Sequence, residues 1–389
     1  MPIMLLVVFI DLVGFGIVLP LLPFFGQHFG ASPFEVTLMG ATFSLFQLGS
    51  APLWGRFSDQ NGRKPALYAS LVTSVLAYLW MSHASALWML FAARALQGAS
   101  AGNIAVCQAY IADVTTPENR AKGMGMMGAA FGFGFICGPA LGGLLAGSNP
   151  TSFSVALPGY AAAAFSALAL VLAISILKES LPPEHRATKA SSKGRIAQVS
   201  DAFSRPRLRI LMTLFFAITF AFSGMETTFA LWGHARLNWG PQQVGYMMGF
   251  VGLTLVFVQG GLVRQLSKRM PEARMLLIGL VSIALGLLLL ALAFHLWLAL
   301  IANFCLALGM GLTSPSISAL VSREASALEQ GSVLGVNQSV GSLARVAGPA
   351  FAGAAFNLGG PGAPYFLGCA IMLLPIYLAM GLVRHPVKA

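Results

Sequence analysis

The chain consists of long apolar stretches that are separated by short polar segments. Three stretches contain no Asp, Glu, Lys or Arg at all: 123–177, 275–322 and 346–383. A membrane-spanning helix needs about 20 apolar residues, so the first two stretches each accommodate two crossings. Along the whole chain the pattern predicts twelve spans, at 2–25, 36–53, 66–83, 87–112, 122–146, 157–177, 208–233, 242–263, 275–294, 296–321, 331–357 and 363–383.

The composition supports a membrane protein. Of 389 residues, 57% are hydrophobic and only 9% are charged, and the mean hydropathy is +0.78. A soluble domain carries about 25% charged residues, so a water-soluble globule is excluded. A membrane β-barrel is a poor alternative, because barrel strands alternate in polarity over about ten residues and these runs are continuously apolar. We therefore expect an all-α membrane protein with twelve transmembrane helices.

The net charge of +11 indicates orientation. With twelve spans, 20 of the 23 Lys and Arg residues fall on the side that holds both termini, and only Arg236 falls on the opposite side. Basic residues concentrate on the cytoplasmic side of membrane proteins. We therefore expect a multi-pass protein of the cell's inner (plasma) membrane with both termini cytoplasmic. The basic residues would face anionic lipid rather than nucleic acid.

A polar segment divides the chain into two similar halves. Segment 178–207 is the longest polar stretch, and it separates residues 1–177 from residues 208–389, each with six spans. Within this linker, Ile196, Val199 and Phe203 recur at helical spacing, which fits a short surface helix or a solvated linker equally well. The predicted organisation is two six-helix bundles joined by a cytoplasmic linker.

The two halves repeat each other with an offset of 208–210 residues. Arg56 matches Arg264, and Gly138-Pro139 matches Gly348-Pro349. Such an internal repeat is typical of transporters whose two pseudo-symmetric halves move around a central site.

The sequence has no arrangement of cysteines, histidines or glycines that is typical of an enzyme or a cofactor site. The four cysteines, Cys107, Cys137, Cys305 and Cys369, all fall inside spans, where they act as small packing residues rather than as disulfides or metal ligands. The six histidines lie in loops or near span ends, and no phosphate-binding Gly-Lys-Ser/Thr sequence occurs. We expect no enzymatic activity, no cofactor and no bound metal.

The segment after the second span carries a compact set of glycines and charges. It reads Gly55-Arg56-Phe57-Ser58-Asp59-Gln60-Asn61-Gly62-Arg63-Lys64-Pro65. We expect a tight loop in which Asp59 faces a helix N-terminus, while Arg63 and Lys64 bind lipid phosphate or acidic groups. This segment closely resembles the signature loop of the major facilitator superfamily. The equivalent segment of the second half, 263–274, keeps the basic residues but has Ser267 in place of the acid.

Three further motifs narrow the resemblance. Segment 94–98 (Arg-Ala-Leu-Gln-Gly) resembles the buried-arginine motif of the superfamily, and segment 134–143 resembles the antiporter motif of its drug exporters. Segment 11–16 (Asp-Leu-Val-Gly-Phe-Gly), followed by Pro20 and Pro23, is similar to the first span of tetracycline-efflux proteins. The resemblance covers nearly the whole chain and implies a twelve-span proton:drug antiporter.

The resemblance also implies a conformational latch. In that interpretation Asp59, Arg63 and Asp113 form a charge cluster that stabilises one conformation; the alternative is ordinary anchoring of loops. The full set assigned to this latch is Gly55, Asp59, Gly62, Arg63, Lys64, Asp113 and Arg120.

The glycines of the antiporter motif have a physical interpretation of their own. Gly134, Gly138 and Gly142 recur every four residues on one helix face, so a partner helix can approach closely, and Pro139 favours a bend. Tight packing alone would account for this face. The resemblance adds, for these residues and Gly143, a role in sealing one conformation against leak.

Four charged residues lie well inside spans: Asp11, Arg94, Glu226 and Arg345. Charges at membrane depth are costly and usually functional. A proton-coupled transporter needs a carboxylate that is protonated in one state, whereas arginine stays charged. We therefore assign proton coupling to Asp11 and Glu226, with Arg94 tuning them. The alternatives are a structural hydrogen bond for Asp11, a static anchor for Arg94, and for Arg345 either binding of an anionic group or support of the eleventh span.

Polar residues inside spans complete the predicted substrate cavity. Each of them either lines a central cavity or bridges two helices, and the sequence leaves these alternatives open. The predicted cavity set is Asp11, Gln47, Arg94, Asn103, Glu226, Asn303, Asn337 and Arg345.

The predicted function is proton-coupled efflux, by alternating access, of drug-like or amphiphilic small molecules. Export of an organic anion, a sugar or a lipid-like metabolite is the alternative, and an anion would be favoured by Arg94 and Arg345. A non-transporting receptor is a third class. Tetracycline itself is in doubt, because tetracycline pumps of this type carry an acid in the ninth span and 275–294 has none. The expected partners are the substrate, protons and membrane lipids, and we expect a monomer.

Overall fold

The computed structural model describes residues 1–101, 103–149, 153–182, 184, 203–324 and 330–384. For residues 103, 117, 118, 120–122, 330–332 and 334 it describes the backbone alone. Within these ranges the chain is helical apart from turns and short connections, and no described residue lies in a β-strand. The all-α prediction is confirmed.

The first half contains eight α-helices in the described residues. They are α1 (Pro2–Val18), α2 (Leu22–His28), α3 (Pro33–Asn61), α4 (Arg63–Ser82), α5 (Leu87–Ser100), α6 (Asn103–Asp113), α7 (Pro117–Ala146) and α8 (Ala156–Ile176). A 3-10 turn, Leu19–Leu21, connects α1 to α2, so these elements together form the first span.

The second half contributes seven α-helices to the described ranges. They are α9 (Pro206–Leu237), α10 (Pro241–Phe257), α11 (Val263–Leu266), α12 (Glu272–Ala291), α13 (Leu296–Arg323), α14 (Gln330–Gly359) and α15 (Ala363–Arg384). A π-helical turn, Val258–Leu262, joins α10 to α11.

Ten helices of the described chain are long and apolar enough to cross a membrane, when α1 is counted together with α2 and α10 together with α11. Predicted spans 87–112 and 331–357 differ from the rest. The first was predicted as one helix, but the structure divides it into α5 and α6 with a turn at Ala101, so neither piece has the required length. The second corresponds to α14, which is 30 residues long but includes Asn337, Gln338 and Arg345.

Packing divides the chain into two compact units. One comprises Met1–Ala190 with Asn238–Gly252, and the other comprises Ser191–Leu237 with Leu253–Ala389. Most of the predicted linker 178–207 lies outside the described residues, including Ile196 and Val199 of its suggested surface helix. The linker boundaries therefore stay a prediction.

Helix α3 shows why apolar patterns misplace helix ends. The backbone N–H of Ser32 donates to Glu35 Oε2 at 2.8 Å, and the N–H of Glu35 donates to Ser32 Oγ at 3.3 Å. This capping box starts the helix at Pro33, three residues before the predicted span. The helix then continues to Asn61, so the prediction of a loop over Gly55–Asn61 is wrong, because polar residues outside the membrane remain helical.

The turn itself is confined to Gly62. This glycine has φ 107° and ψ 162°, a backbone conformation that side chains with a Cβ rarely adopt. Helix α4 begins at the next residue, so the chain reverses direction at one glycine.

Within the first unit, α1 packs closely against α7 along the glycine face that the sequence predicts. A Cβ added to Gly138 would lie 2.6 Å from Gly16 Cα, and one on Gly134 would lie 2.7 Å from Leu12 Cβ. A Cβ on Gly142 would collide with the carbonyl oxygen of Ile17. The two helices therefore meet backbone to backbone, as small residues allow in membranes.

The second unit repeats this contact between α9 and α14. A Cβ added to Gly224 would lie 3.1 Å from the carbonyl oxygen of Gly348 and 2.9 Å from Ala352 Cβ. Gly224 and Gly348 are the repeat partners of Gly16 and Gly138, at offsets within the predicted 208–210. The internal repeat of the sequence therefore corresponds to a repeated helix contact.

Candidate functional site

The predicted latch residues Asp59, Arg63 and Asp113 come together at the start of α4. Arg63 is only 8% exposed, and its Nη1 binds Asp59 Oδ1 at 2.5 Å while its Nε binds Asp113 Oδ2 at 2.9 Å. Nη1 also donates to Ser58 Oγ at 3.0 Å. One guanidinium thus joins α3, α4 and α6, since its planar donors can bind two carboxylates at once.

A fourth residue of this cluster, Glu179, lies shortly after the end of α8 at Ile176 and was not predicted from the sequence. Its carboxylate accepts from the backbone N–H groups of Arg63 at 2.9 Å and Lys64 at 3.1 Å. Gly62 offers no side chain to cap α4, so Glu179 supplies the cap from 116 residues away. The acid that faces this helix N-terminus is thus Glu179, whereas Asp59 pairs with Arg63.

The hydrogen bonds to Glu179 also set its protonation. Partial burial acts to raise the pKa of this carboxyl group, but backbone N–H donors of Leu181, Arg63, Lys64 and Ser180 outweigh it and hold the pKa below its ordinary value. The neighbouring Ser180 Oγ donates to Asp113 Oδ2 at 3.0 Å. The only sequence signal for Glu179 was an acid at the second position after the end of a predicted span.

The other predicted latch residues whose side chains the structure describes make fewer side-chain contacts. Lys64 Nζ lies 5.6 Å from the centre of the Tyr68 ring, and Gly55 is on α3 with no atom within 4 Å of a Cβ added to it. The side chain of Arg120 lies outside the described part of the structure.

Asp11 lies on α1, half-buried, beside α8. Ser166 Oγ on α8 donates a hydrogen bond of 2.9 Å to Asp11 Oδ1. Ser166 itself is fully buried. The sequence singled out Asp11 but missed Ser166, which is one serine in an alanine-rich span.

Arg94 lies on α5 and is 1% exposed. Its Nη1 donates to Gln97 Oε1 at 2.5 Å, and its Cζ lies 4.4 Å from the centre of the Phe43 ring and 5.9 Å from that of Phe15. Aromatic faces stabilise a guanidinium away from water. Arg94 thus contacts side chains of α1, α3 and its own helix.

Asp11 and Arg94 both interact with one buried tyrosine of the first unit, Tyr78. The buried phenol of Tyr78 on α4 interacts electrostatically with both of them. Asp11 also interacts electrostatically with the buried Cys107 on α6. The acid and the base that the sequence selected thus contribute to one polar region of this unit.

Glu226 and Arg345 form a corresponding polar region in the second unit. Glu226 is half-buried on α9, and Arg345 on α14 interacts with it electrostatically. Arg345 Nη2 also donates to Ser342 Oγ at 3.0 Å. Each unit therefore holds an acid on its first long helix and a buried or half-buried arginine on another helix.

The predicted polar cavity residues have different environments. Asn303 is buried, and its amide donates to the carbonyl of Ala299 on its own helix at 2.8 Å. Asn337 is buried, and its Oδ1 accepts no hydrogen bond in the described structure. Gln47 is half-buried on α3, and the side chain of Asn103 lies outside the described residues.

The antiporter segment contacts helices on both of its sides within the first unit. Besides the contact with α1, a Cβ added to Gly143 would lie 2.8 Å from the carbonyl oxygen of Pro241. A Cβ on Gly245 would collide with the carbonyl of Pro139. The Gly-Pro segment of α7 is therefore packed between α1 and the first turns of α10.

Comparisons with known proteins agree on the family. A sequence model described as Major Facilitator Superfamily matches residues 4–349 and 262–388. The chain is 32% identical over 401 residues to the tetracycline resistance protein, class E, of Escherichia coli, covering 99% of this chain and 96% of that protein. It is 33% identical to the tetracycline resistance protein, class G, of Vibrio anguillarum, with 89% and 87% covered.

The chain is also similar to a transporter of known structure. The crystal structure of the human organic anion transporter MFSD10 (TETRAN) is similar with a TM-score of 0.73 and 26% identity. The similarity covers 97% of this chain and 98% of that one.

Proposed function

Since the chain belongs to the major facilitator superfamily of membrane transporters, we propose that it is a proton-coupled exporter of drug-like or amphiphilic small molecules that works by alternating access. The observation that carries this proposal is the Asp11 carboxylate, held by Ser166 inside a span of a unit that also buries Arg94. The tetracycline resistance relatives support drug efflux as the direction and substrate class.

The acids supply the proton sites. Asp11 and Glu226 lie in apolar spans, where a charged carboxylate is costly unless it is hydrogen-bonded or paired. Ser166 stabilises the charged form of Asp11, and Arg345 does so for Glu226 by electrostatic attraction. A conformational change that alters either contact would change how readily the acid takes up a proton, which couples protonation to transport.

Two sets of contacts within the first unit support a transporter that alternates between conformations. The cluster of Asp59, Arg63, Asp113 and Glu179 links α3, α4, α6 and the segment after α8, so breaking it requires several ionic contacts to separate together. The glycine face of α7 brings this helix backbone to backbone with α1 and leaves no room for a side chain between them. We assign the first to latching one conformation and the second to preventing leak.

The location follows from the basic residues. We propose that the protein spans the inner membrane as a monomer, with both termini in the cytoplasm and the Arg63 cluster on the cytoplasmic side. Cysteine substitution at Ser180 and at Trp297, which is 76% exposed at the predicted opposite side, tests this orientation by labelling intact cells with a membrane-impermeant thiol reagent. Labelling at residue 180 in intact cells would contradict it.

The experiment on coupling uses purified protein in sealed proteoliposomes with a panel of cationic, neutral and anionic compounds. Wild type should accumulate substrate only when a pH gradient is imposed. The Asp11→Asn/Glu226→Gln variant should lose gradient-driven accumulation but keep downhill exchange of the same compound. Full gradient-driven accumulation in the double variant would overturn the coupling assignment.

Export of an organic anion is a second candidate function, favoured by the similarity to the organic anion transporter MFSD10 and by two arginines inside spans. Either Arg94 in the first unit or Arg345 in the second would bind the anionic group. In the same panel, anionic compounds would then be the strongest competitors for transport. Arg94→Gln or Arg345→Gln would reduce the transport of anions more than that of cations.

A further inference from the structure

A cavity of about 370 Å³ opens in the second unit between the start of α9 and the end of α15. Two arginines, Arg207 and Arg384, line it together with apolar side chains that include Ile210 and Met380. Its lining residue Ile210 is about four helical turns from Glu226 along α9, and transport as proposed above makes no use of the cavity.

The cavity lies where both helices pass from polar to apolar sequence. Arg207 is the second residue of α9, which carries no charged residue from Ile210 to Met225, and Arg384 is the last residue of α15, after a stretch that has no charge from residue 346 to residue 383. Helices of this composition change from charged to apolar residues at the level of the lipid headgroups. The arginines are thus at headgroup depth, and the apolar wall is at the depth of the acyl chains.

The apolar wall is open to the membrane. Tyr377 is 71% exposed and Met380 is 38% exposed, and Leu373 and Leu374 continue the exposed face along α15. Gly381 lines the cavity too, and a Cβ there would meet no atom within 4 Å, so the wall has free space beside the backbone.

The charge of the cavity matches a single phosphodiester. Arg207 Nη1 lies 3.4 Å from Glu324 Oε1, which compensates one positive charge, while Arg384 adds a second. Among the described residues, Arg207, Arg384 and Glu324 sum to one net positive charge. A guanidinium binds phosphate oxygens in a bidentate manner.

We propose that this cavity binds an anionic phospholipid, with the phosphate between Arg207 and Arg384 and an acyl chain along Tyr377 and Met380. Basic pockets between transmembrane helices bind anionic headgroups in this way. A zwitterionic lipid fits less well, because Glu324 is already paired with Arg207 and the amine of the lipid would face Arg384.

Native mass spectrometry of the purified full-length protein tests this proposal, with phosphatidylglycerol and phosphatidylcholine of identical acyl chains as probes. Wild type should bind one phosphatidylglycerol more tightly than any phosphatidylcholine. The Arg207→Gln/Arg384→Gln variant should lose about thirty-fold in affinity for that lipid, since each interfacial arginine contributes about 1 kcal/mol. The matched control, Arg209→Gln/Arg274→Gln, removes two exposed arginines outside the cavity and should bind like wild type.

A second variant tests the shape of the cavity separately from its charge and leaves the Arg207–Glu324 ion pair in place. Gly381→Leu fills the free space without changing the net charge, and it should also lower phosphatidylglycerol occupancy. Unchanged phosphatidylglycerol binding in both cavity variants would overturn the proposal, as would an equal loss in the control pair. Displacement of the lipid by millimolar inorganic phosphate would identify a free-phosphate site and likewise overturn it.

Discussion

Ser166 donates a hydrogen bond of 2.9 Å to Asp11, across 155 residues of sequence and between two helices of the first unit. A buried hydroxyl that stabilises the charged form of a membrane-embedded acid determines how easily that acid exchanges its proton. This contact therefore connects helix packing to the proposed coupling.

Removing the Ser166 hydroxyl should impair coupling more than binding. A hydrogen bond to a charged group contributes about 1.5–3 kcal/mol, so Ser166→Ala should slow gradient-driven transport by about ten-fold or more. Ser166→Thr keeps the hydroxyl and should retain most activity. The measurement is initial uptake into inverted vesicles with and without a pH gradient. Equal gradient-driven rates in Ser166→Ala and wild type would remove Ser166 from the mechanism.

The α1–α7 contact should be intolerant of a single methyl group. A Cβ at Gly138 would lie 2.6 Å from Gly16 Cα, in backbone that cannot move aside easily, so Gly138→Ala should destabilise the protein by about 1–3 kcal/mol. Gly128→Ala on the same helix is the control, because a Cβ there meets no atom within 4 Å. Thermal unfolding in detergent should show a lowered Tm for Gly138→Ala and an unchanged or higher Tm for Gly128→Ala. A Tm for Gly138→Ala at or above that of wild type would show that the helices meet differently.

Glu179 should make a pH-dependent contribution to stability. Its pKa is lower in the folded protein than the ordinary value of 4.5, so the stabilisation is complete above that value and is lost as the pH falls through the folded pKa. Glu179→Gln should lower stability by about 1 kcal/mol at neutral pH, the size of a helix cap. The difference from wild type should shrink as the pH falls below 4.5 and the carboxylate takes up its proton.

Tm measured across pH 3–8 checks this dependence. Glu184→Gln is the control, since it changes a nearby exposed acid that caps no helix in the described structure. A Tm difference between Glu179→Gln and wild type that persists unchanged at pH 3 would show that the charge of Glu179 is not responsible.

Arg63 should resist even conservative replacement. Lysine keeps the charge but cannot bind Asp59 and Asp113 with the planar geometry of a guanidinium, so Arg63→Lys should reduce transport by about ten-fold. Arg56→Lys changes an exposed arginine of the same motif and should leave transport near the wild-type level. Transport rates normalised to the amount of folded protein make the comparison. If both variants transported equally well, the cluster would be anchoring loops rather than setting conformation.

Some contacts of the structure were predictable from the sequence, and others were not. The four-residue spacing of Gly134, Gly138 and Gly142 predicted a close helix contact, and the structure shows that contact with α1 as the partner. The motif from Gly55 to Lys64 was recognisable, yet its helical conformation up to Asn61 was not, because apolar periodicity ends at the membrane while hydrogen bonding along the helix continues. Glu179 and Ser166 were missed because nothing near them in sequence marks their distant partners.

The sequence by itself determined the class of the protein, the order of its apolar helices, the internal repeat and the few charges placed inside the membrane. These properties follow from the cost of exposing polar groups to lipid, which acts on each residue separately and leaves a local pattern. Only the tertiary structure decided the pairs: Ser166 with Asp11, Glu179 with the start of α4, Glu226 with Arg345, and Arg207 with Arg384 around one cavity. A pair depends on which helices become neighbours, and that choice arises from packing over the whole unit rather than from any single segment.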